Sequence, residues 1–396
     1  MRHPPFLPAL ALVLVACRGQ GIDTDPPGQS LTDIAVVDAE IPAQDIVQKP
    51  PAPALFDAPM PLETPDLPEG LSHLGAEGCA SCHWPVVESW RTSAHSGMPS
   101  KAMQKALHAA GDAPECSQCH FPLQVQHREL IAPSQEEGQL LESMRTPNEN
   151  WSPSLQSEGV GCVACHVREG TVLGSRDLDA PHPVRESTEL GSSEGCASCH
   201  QLTWEGADQP LYDTFGEWSR TTYADAGLTC MDCHMAPVAG ASTPGGRTTH
   251  ADHQFDARRG EGLSLHLSLS PKGATRGQAL IGSVRIQNTG AGHAIPTGSP
   301  FKSLVVTIEL LDVRGTAAGD GAEFVFAREV SEKSPYTTVS DTRLMAGDER
   351  TLPFEFKIPY RAKAGQGTIR ASASIRHADG ELSPSWTLQE IPYPVQ

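Results

Sequence analysis

One five-residue pattern, two cysteines separated by two residues and followed by a histidine, recurs five times and includes ten of the eleven cysteines. The five copies are Cys79-Ala80-Ser81-Cys82-His83, Cys116-Ser117-Gln118-Cys119-His120, Cys162-Val163-Ala164-Cys165-His166, Cys196-Ala197-Ser198-Cys199-His200 and Cys230-Met231-Asp232-Cys233-His234. At the cysteine and histidine frequencies of this chain, chance would supply about 0.01 copies. This pattern therefore constrains the fold of residues 71–260 more than any other feature.

The CxxCH pattern is the attachment sequence for c-type haem. Two intervening residues let both sulfurs reach the two vinyl groups of one porphyrin, and the following histidine then lies beneath the iron as an axial ligand. Five copies leave little room for a zinc site or for disulfides. The sequence therefore predicts five covalently attached haem c groups. The attachment residues would be Cys79, Cys82, Cys116, Cys119, Cys162, Cys165, Cys196, Cys199, Cys230 and Cys233. The proximal iron ligands would be His83, His120, His166, His200 and His234.

Composition agrees with this interpretation. Only 38% of the 396 residues are hydrophobic and 5% are aromatic, so a single large conventional core is not expected. Five macrocycles would supply apolar volume to residues 71–260. They would also cross-link the chain in place of structural disulfides, because the CxxCH copies use the cysteines of this segment. Regular structure should be sparse there, with short helices over residues 86–93, 101–110 and 135–144 between loops rich in glycine and proline.

The N-terminus predicts export. Arg2 and His3 precede an apolar run over residues 6–16 that is too short to span a bilayer, which is the layout of a secretory signal. The run ends in Leu14-Val15-Ala16-Cys17 and resembles the bacterial lipobox, which implies lipidation of Cys17 after cleavage. An ordinary signal peptide with Cys17 as a stray thiol is the alternative. By resemblance to lipoproteins, the absence of Asp after Cys17 favours the outer membrane. Export agrees with c-type maturation, which occurs outside the cytoplasm.

Residues 18–70 have a different composition, with ten prolines, ten acidic residues, two basic residues and no cysteine. Such a segment cannot bury enough apolar surface to fold, so we expect an acidic, Pro-rich disordered tether rather than a tail that docks a partner. The whole chain carries a formal net charge of −19. This charge argues against nucleic acid as a partner and favours cationic redox proteins of the cell envelope.

Five low-spin irons with two imidazoles each would need five further histidines. Apart from His3 and the proximal set, the chain has ten: His73, His95, His108, His127, His182, His250, His253, His266, His293 and His377. A lone histidine is usually only a surface or core residue, so their number and position leave the choice open. Met98 is a weaker alternative ligand, and Met235 directly follows His234 and cannot reach the open face of the same haem.

A family resemblance narrows this choice. The segment after the first copy resembles the CH…(E)xWxxSxH pattern of multihaem cytochromes of the hydroxylamine-oxidoreductase-like class. It reads Trp84-Pro85-Val86-Val87-Glu88-Ser89-Trp90-Arg91-Thr92-Ser93-Ala94-His95. In that class the last histidine of the pattern ligates a different haem. Similar segments are residues 159–166, 182–184, 212–223, 233–235, 247–255 and 290–298. The resemblance implies His95, His182, His250, His253 and His293 as the distal ligands. His73, His108 and His127 lie near CxxCH copies and remain reserves.

After residue 260 the cysteines stop and apolar residues alternate with polar ones. The alternation predicts strands over residues 263–270, 280–287, 303–312, 323–330, 352–358, 369–375 and 385–391, and thus an immunoglobulin-like β-sandwich over 261–396. His266 and His377 are expected to be inert strand and turn residues. His293 lies in a loop framed by glycine and proline, which would let a haem approach, although a purely structural turn is the alternative. The expected organisation is a signal peptide (1–17), a tether (18–70), a pentahaem cytochrome domain (71–260) and the sandwich, an α plus all-β fold class.

Three functions are compatible with this organisation. A lipid-anchored pentahaem cytochrome would transfer electrons between envelope partners. A haem oxidoreductase acting on nitrite, hydroxylamine or a related nitrogen or sulfur compound would need a five-coordinate iron, and the absence of a CxxCK copy disfavours it. An adhesion or assembly subunit built on the sandwich is the third. We favour electron transfer, because five fully ligated irons have no place for a substrate.

Overall fold

The computed structural model describes residues 62–99, 104, 117–131, 145–175, 180–204, 206–255, 261–270, 275–312, 314–319, 321–333, 335–362 and 365–395. These residues belong to one compact unit. The predicted signal peptide with Cys17, nearly all of the tether, Cys116, His108 and the helices predicted over residues 101–110 (apart from Gln104) and 135–144 lie outside the described residues. Among the residues described, no helix combines the length and apolar character needed to cross a bilayer.

Short helices carry most of the CxxCH copies. In chain order the helices are α1 (Ala76–Arg91), α2 (Pro153–Glu158), α3 (Cys162–His166), α4 (Glu194–His200), α5 (Thr214–Ser219), α6 (Thr222–Asp225) and α7 (Cys230–His234). Single 3₁₀ turns cover Gln124–Gln126 and Glu189–Gly191. The first, third, fourth and fifth copies lie in α1, α3, α4 and α7, so one helical turn spaces the two cysteines of each copy.

Helix α1 consists of two helical pieces that meet at His83, where the backbone leaves helical geometry (φ −106°, ψ 30°). Pro85 follows, and proline cannot donate the amide hydrogen bond that a continuous helix needs. The side chain of Glu158 caps the start of the helix, accepting from the amide of Ala76 at 3.0 and 3.1 Å. The first CxxCH copy therefore ends at a kink, and the predicted 86–93 helix is the second piece, which ends at Arg91.

The described residues of this segment also form seven short strands: β1 (Glu129–Ile131), β2 (Arg145–Pro147), β3 (Val167–Arg168), β4 (Thr171–Gly174), β5 (Val184–Glu186), β6 (Pro237–Ala239) and β7 (Thr249–Ala251). They form small sheets in the order β1-β2, β3-β4-β5 and β6-β7. Among the described residues near them, an apolar cluster has five buried members: Leu62, Leu123, Val125, Val163 and Val167. The described residues of the segment 71–260 therefore have the sparse regular structure that the sequence predicts.

In the C-terminal part, the residues that the structure describes form eight strands: β8 (Leu263–Ser270), β9 (Ala279–Asn288), β10 (Ser303–Leu311), β11 (Ala322–Val330), β12 (Thr338–Asp341), β13 (Glu349–Lys357), β14 (Gly365–Arg376) and β15 (Trp386–Val395). They make a five-stranded sheet in the order β12-β11-β10-β14-β15 and a three-stranded sheet in the order β13-β9-β8. All their pairings are antiparallel.

Both sheets contribute to one hydrophobic core. Leu280 and Val284 of β9, Leu304 and Ile308 of β10 and Ile369 of β14 are among its fully buried members. The alternation that predicted the strands is the alternation of buried and exposed positions, as in β8. Every strand predicted from this alternation is present, and the mixed α and β class is confirmed. The immunoglobulin-like topology and the domain boundaries stay predictions.

Candidate haem centres

Four of the CxxCH histidines face a histidine from outside the copies. The ring centres are 6.3 Å apart for His83 and His182, 6.2 Å for His200 and His95, 6.3 Å for His166 and His253, and 6.2 Å for His234 and His293. Each pair thus joins a predicted proximal ligand to a predicted distal ligand.

These distances fit an iron held between two imidazoles. A histidine nitrogen binds a metal at about 2 Å, and its ring centre lies roughly 1 Å behind that nitrogen, so two imidazoles on opposite sides of one metal have centres roughly 6 Å apart. No group of three or more metal-binding side chains occurs within the described ranges. Two protein ligands suffice in a haem, because the porphyrin supplies the other four. The residues present therefore fit haem c.

Hydrogen bonds at Nδ1 orient three of these imidazoles. The Nδ1–H groups of His166, His253 and His293 donate to the carbonyl oxygens of Leu173 (3.0 Å), Ala251 (2.9 Å) and Ala294 (2.9 Å). The Nε2 atom of each ring is left available for a metal, and such a bond fixes both the tautomer and the ring orientation of a ligating histidine.

Desolvation favours the neutral form of two of the paired imidazoles, those of His200 and His253. Burial, assisted by the neighbouring His95, lowers the pKa of His200 to about 4. Burial likewise lowers the pKa of His253 to about 4. A histidine must be neutral to bind a metal through its free nitrogen.

Nine of the ten CxxCH cysteines are described, and none of the nine forms a disulfide. They bring the copies together in space. The thiols of Cys79 and Cys162 are neighbours, and their interaction lowers the pKa of Cys79 and raises that of Cys162, which places the first copy beside the third. A contact between the thiols of Cys119 and Cys199 joins the second copy to the fourth. A contact between the thiols of Cys196 and Cys230 joins the fourth copy to the fifth.

The third copy also lies beside the fourth, because the charge of Cys165 raises the pKa of both Cys196 and Cys199. All five copies therefore form one connected array. In this array the first copy contacts the third, the third contacts the fourth, and the second and fifth copies also contact the fourth. Sequence spacing alone did not predict this order.

Helix α1 positions His253. The hydroxyl of Ser89 donates to the carboxylate of Asp252 at 2.6 Å and accepts from the backbone amide of His253 at 2.9 Å. The indole of Trp90 donates to the carbonyl of Val160 at 3.0 Å. The segment resembling ExWxxSxH therefore holds a histidine more than 150 residues away, as well as the residues before the third copy.

His95 is held against the same region. Its carbonyl accepts from the amide of Val160 at 2.9 Å, and its ring meets Phe255 edge to face at 4.4 Å. Gly159 has φ +70°, and a Cβ there would lie 2.3 Å from the carbonyl oxygen of Gly97. Only glycine fits this crossing. Segments that resembled one family in sequence are thus neighbours in space.

The loop that carries His293 is bound to helix α5 by a buried carboxylate. One oxygen of Glu217 accepts from the amide of Ala294 (3.1 Å) and the hydroxyl of Thr297 (2.6 Å). Its other oxygen pairs with Arg343 at 2.7 Å, and Arg343 also holds Asp341 at 2.7 Å. Burial opposes the charge on Arg343, but the two carboxylates prevail and raise its pKa.

Sequence reasoning missed Glu217 and Arg343. The available signal was the Glu217-Trp218 pair inside a segment already recognised as family-like. Nothing in the sequence showed that a loop residue 126 positions later, Arg343, forms the ion pair with Glu217. Asn288 was missed for the same reason. Its amide donates to the carbonyls of His293 (2.8 Å) and Leu344 (3.0 Å) and fixes the other end of the loop.

Two predicted ligands have no imidazole partner among the described residues, namely His120 and His250. His250 lies in β7 and donates from Nδ1 to the carbonyl of Gly240 at 2.9 Å. Of the reserves, His127 uses Nε2 for the carbonyl of Phe121 at 2.6 Å, and His73 lies beside Glu158. The role predicted for His250 stays a prediction.

No family model and no curated protein matches this chain. It is similar to the crystal structure of a penta-heme cytochrome c552 from Thermochromatium tepidum, with a TM-score of 0.55 and 19% identity. That likeness covers 83% of this chain and 100% of the other. The chain has the fold of a multihaem cytochrome.

Two further similarities cover only 34% of this chain. Sporulation control protein Spo0M from Bacillus subtilis has 14% identity and a TM-score of 0.17 over 49% of its length, and the C-terminal domain of Wzt has 16% and 0.20 over 74%. Scores this low support no conclusion. The prediction of a multihaem c-type cytochrome is confirmed at the level of the fold, and the hydroxylamine-oxidoreductase-like class stays a prediction.

Proposed function

We propose that this chain is a lipid-anchored pentahaem c-type cytochrome that transfers electrons between redox partners of the cell envelope. The observation that supports it best is the set of four imidazole pairs at 6.2–6.3 Å, each with one member from a CxxCH copy. Bound in this way, haem iron supplies reversible one-electron chemistry.

The residues of the chain define where that chemistry can occur. The cysteine contacts hold the five attachment sites in one connected array, so no site is isolated from the others. The paired imidazoles would hold a haem iron from both sides at four sites, which would leave no place for a substrate there. This saturation favours electron transfer over the alternative function, oxidation or reduction of nitrite, hydroxylamine or a related compound at an open iron.

The anchor and the location are part of the proposal. Lipidation of Cys17, followed by the acidic, Pro-rich segment, would hold the folded part near the membrane, and the outer membrane is the location we propose. The net charge of −19 favours partners with a basic docking surface.

Intact mass under denaturing conditions tests the haem content. The mature chain should exceed its polypeptide and lipid by five haem masses. Cys119→Ala should weaken attachment at the second copy only, and Cys17→Ser, which changes the cysteine outside the copies, should keep all five. Fewer than five haems in the fully matured native protein would contradict the count.

Carbon monoxide binding and turnover assays separate the two functions. The dithionite-reduced native protein should bind no carbon monoxide and should not turn over nitrite or hydroxylamine above a free-haem control. Catalytic turnover that requires the folded protein would favour the oxidoreductase.

A further inference from the structure

The imidazole pair at the fifth copy is the most nearly parallel of the four. The planes of His234 and His293 differ by 17°, whereas those of the other three pairs differ by 33°, 43° and 70°. His234 ends helix α7, and His293 lies in the loop after strand β9. Two rings on separate elements keep a small angle only if other contacts hold both elements in place.

Trp218 lies against the loop that carries the distal ring. It belongs to helix α5 and directly follows Glu217. A Cβ added at Gly292 would lie only 3.3 Å from Cδ1 of the Trp218 indole, so the indole packs against the backbone just before His293. The ring of Tyr223 lies beside the same glycine, 3.4 Å from that Cβ position. The missing side chain of Gly292 therefore lets two aromatic rings approach the loop backbone closely.

The same side chain contacts the segment that leads into the fifth copy. The indole N–H of Trp218 donates to the carbonyl oxygen of Leu228 at 3.2 Å. Leu228 directly precedes Thr229, the N-cap residue of helix α7, whose amide and hydroxyl donate to the carboxylate of Asp232 at 2.6 and 2.8 Å. The position of Leu228 therefore helps to fix where helix α7 begins, and with it the position of His234.

Helix α5 contacts both chain neighbours of His293. Trp218 packs against Gly292 on one side, and the carboxylate of Glu217 accepts from the amide of Ala294 at 3.1 Å on the other. The carboxylate holds the distal loop, whereas the indole also holds the segment before the fifth copy. Trp218 therefore connects the two sides of this site.

We propose that Trp218 is the positioning residue of the iron site formed by His234 and His293, and that its two contacts set the small angle between the imidazole planes. The proposal rests on the haem content proposed above. The groups around an axial imidazole fix its orientation, and they are one of the means by which a protein tunes haem iron. Trp218 acts through the backbone at Gly292 and Leu228, not as a ligand.

Two substitutions separate the contacts of Trp218. Trp218→Phe keeps a ring against Gly292 but removes the hydrogen bond to Leu228, and Trp218→Leu removes the ring as well. In the EPR spectrum of the oxidised protein, a single low-spin signal should shift in both variants, further in Trp218→Leu, and the remaining signals should not. Trp151→Phe is the matched control, because the Trp151 indole likewise donates one hydrogen bond, to the side chain of Gln156 at 3.3 Å, and its loss should leave every signal unchanged.

Gly292→Ala tests the same contact from the side of the loop. The added methyl group would be crowded by Trp218 and Tyr223, so the same EPR signal should shift. In the double variant with Trp218→Leu, the methyl group fills part of the space that the indole leaves. The shift should then be smaller than the sum of the two single shifts, as for residues in contact.

Intact mass and far-ultraviolet circular dichroism are measured on every variant, to compare haem content and fold. If Trp218→Leu does not fold, Trp218→Phe and Gly292→Ala decide on the same grounds. Unchanged signals in the Trp218 variants, equal shifts of all signals, or fully additive shifts in the double variant would overturn the role of Trp218. Fewer than five haems in the native protein would contradict the proposed function, whereas five haems with unchanged EPR signals would contradict only the role of Trp218.

Discussion

The ion pair between Glu217 and Arg343 should contribute far more to stability than a surface pair in the same chain. Its two side chains are only 5% and 8% exposed. Removing one partner of such a pair leaves an uncompensated buried charge, which typically costs about 3–5 kcal/mol. Arg343→Met should approach that range, because it leaves both Glu217 and Asp341 without their cation. Glu217→Gln should cost less, roughly 1–3 kcal/mol, because Arg343 keeps Asp341.

A double-mutant cycle isolates the interaction itself. We expect Glu217→Gln and Arg343→Met to be non-additive by about 2–3 kcal/mol, the upper range for residues in contact. The matched control is the pair Arg376–Glu323, which has a similar distance of 2.8 Å but side chains that are 34% and 49% exposed. Its coupling should be about 0.2–1 kcal/mol.

Equilibrium urea unfolding followed by far-ultraviolet circular dichroism measures these free energies, and the slope of each transition shows whether the variants unfold in the same way. The Glu217 variants have a second readout, because the same carboxylate holds the loop of His293. They should broaden or partly convert the low-spin signal of the site at His234. A coupling energy no larger than that of the control pair would refute the argument that this buried pair organises the loop.

Three further predictions concern single sites. His293→Ala should convert one haem to high-spin and open it to carbon monoxide, and an unchanged EPR spectrum would mean that His293 is only a turn residue. The imidazole planes of His234 and His293 differ by 17°, whereas those of His95 and His200 differ by 70°. The haem between His234 and His293 should therefore give an ordinary rhombic EPR signal, and the haem between His95 and His200 a strongly anisotropic one. Five identical EPR signals would contradict this geometry. Cys17→Ser should abolish acylation and membrane retention, and unchanged fractionation and lipid labelling would show that Cys17 is no anchor.

Local patterns predicted the local features well. Alternation of apolar residues located seven of the eight C-terminal strands, because each strand packs one face on a shared core. It missed β12, where four residues, Thr338–Asp341, pair at the edge of the five-stranded sheet and bury little. Spacing inside CxxCH predicted the attachment residues and the proximal histidines, because both sulfurs must reach one porphyrin. The helices that carry four of the copies were not predicted.

Long-range partners could not be predicted in the same way. The pairing of His83 with His182 joins residues 99 positions apart, and no local period encodes that choice. The contacts of Glu217 with Arg343 and of Asn288 with His293 and Leu344 likewise join residues whose pairing no local pattern encodes. A buried polar residue signals that it needs a partner, but the sequence alone does not say which residue will meet it.

The clamp on the His293 loop has a consequence for biosynthesis. A chain emerges N-terminus first, so the helix with Cys230 and His234 is complete more than 100 residues before Arg343 exists. Until β12 and Arg343 arrive, Glu217 has no cation and the loop has only part of its support. An unfinished or C-terminally clipped chain would therefore carry an attachment site whose distal imidazole is loosely held. Folding of this loop is therefore complete only when Arg343 is present, and exported chains that end before residue 343 should be more prone to haem loss and proteolysis than the full chain.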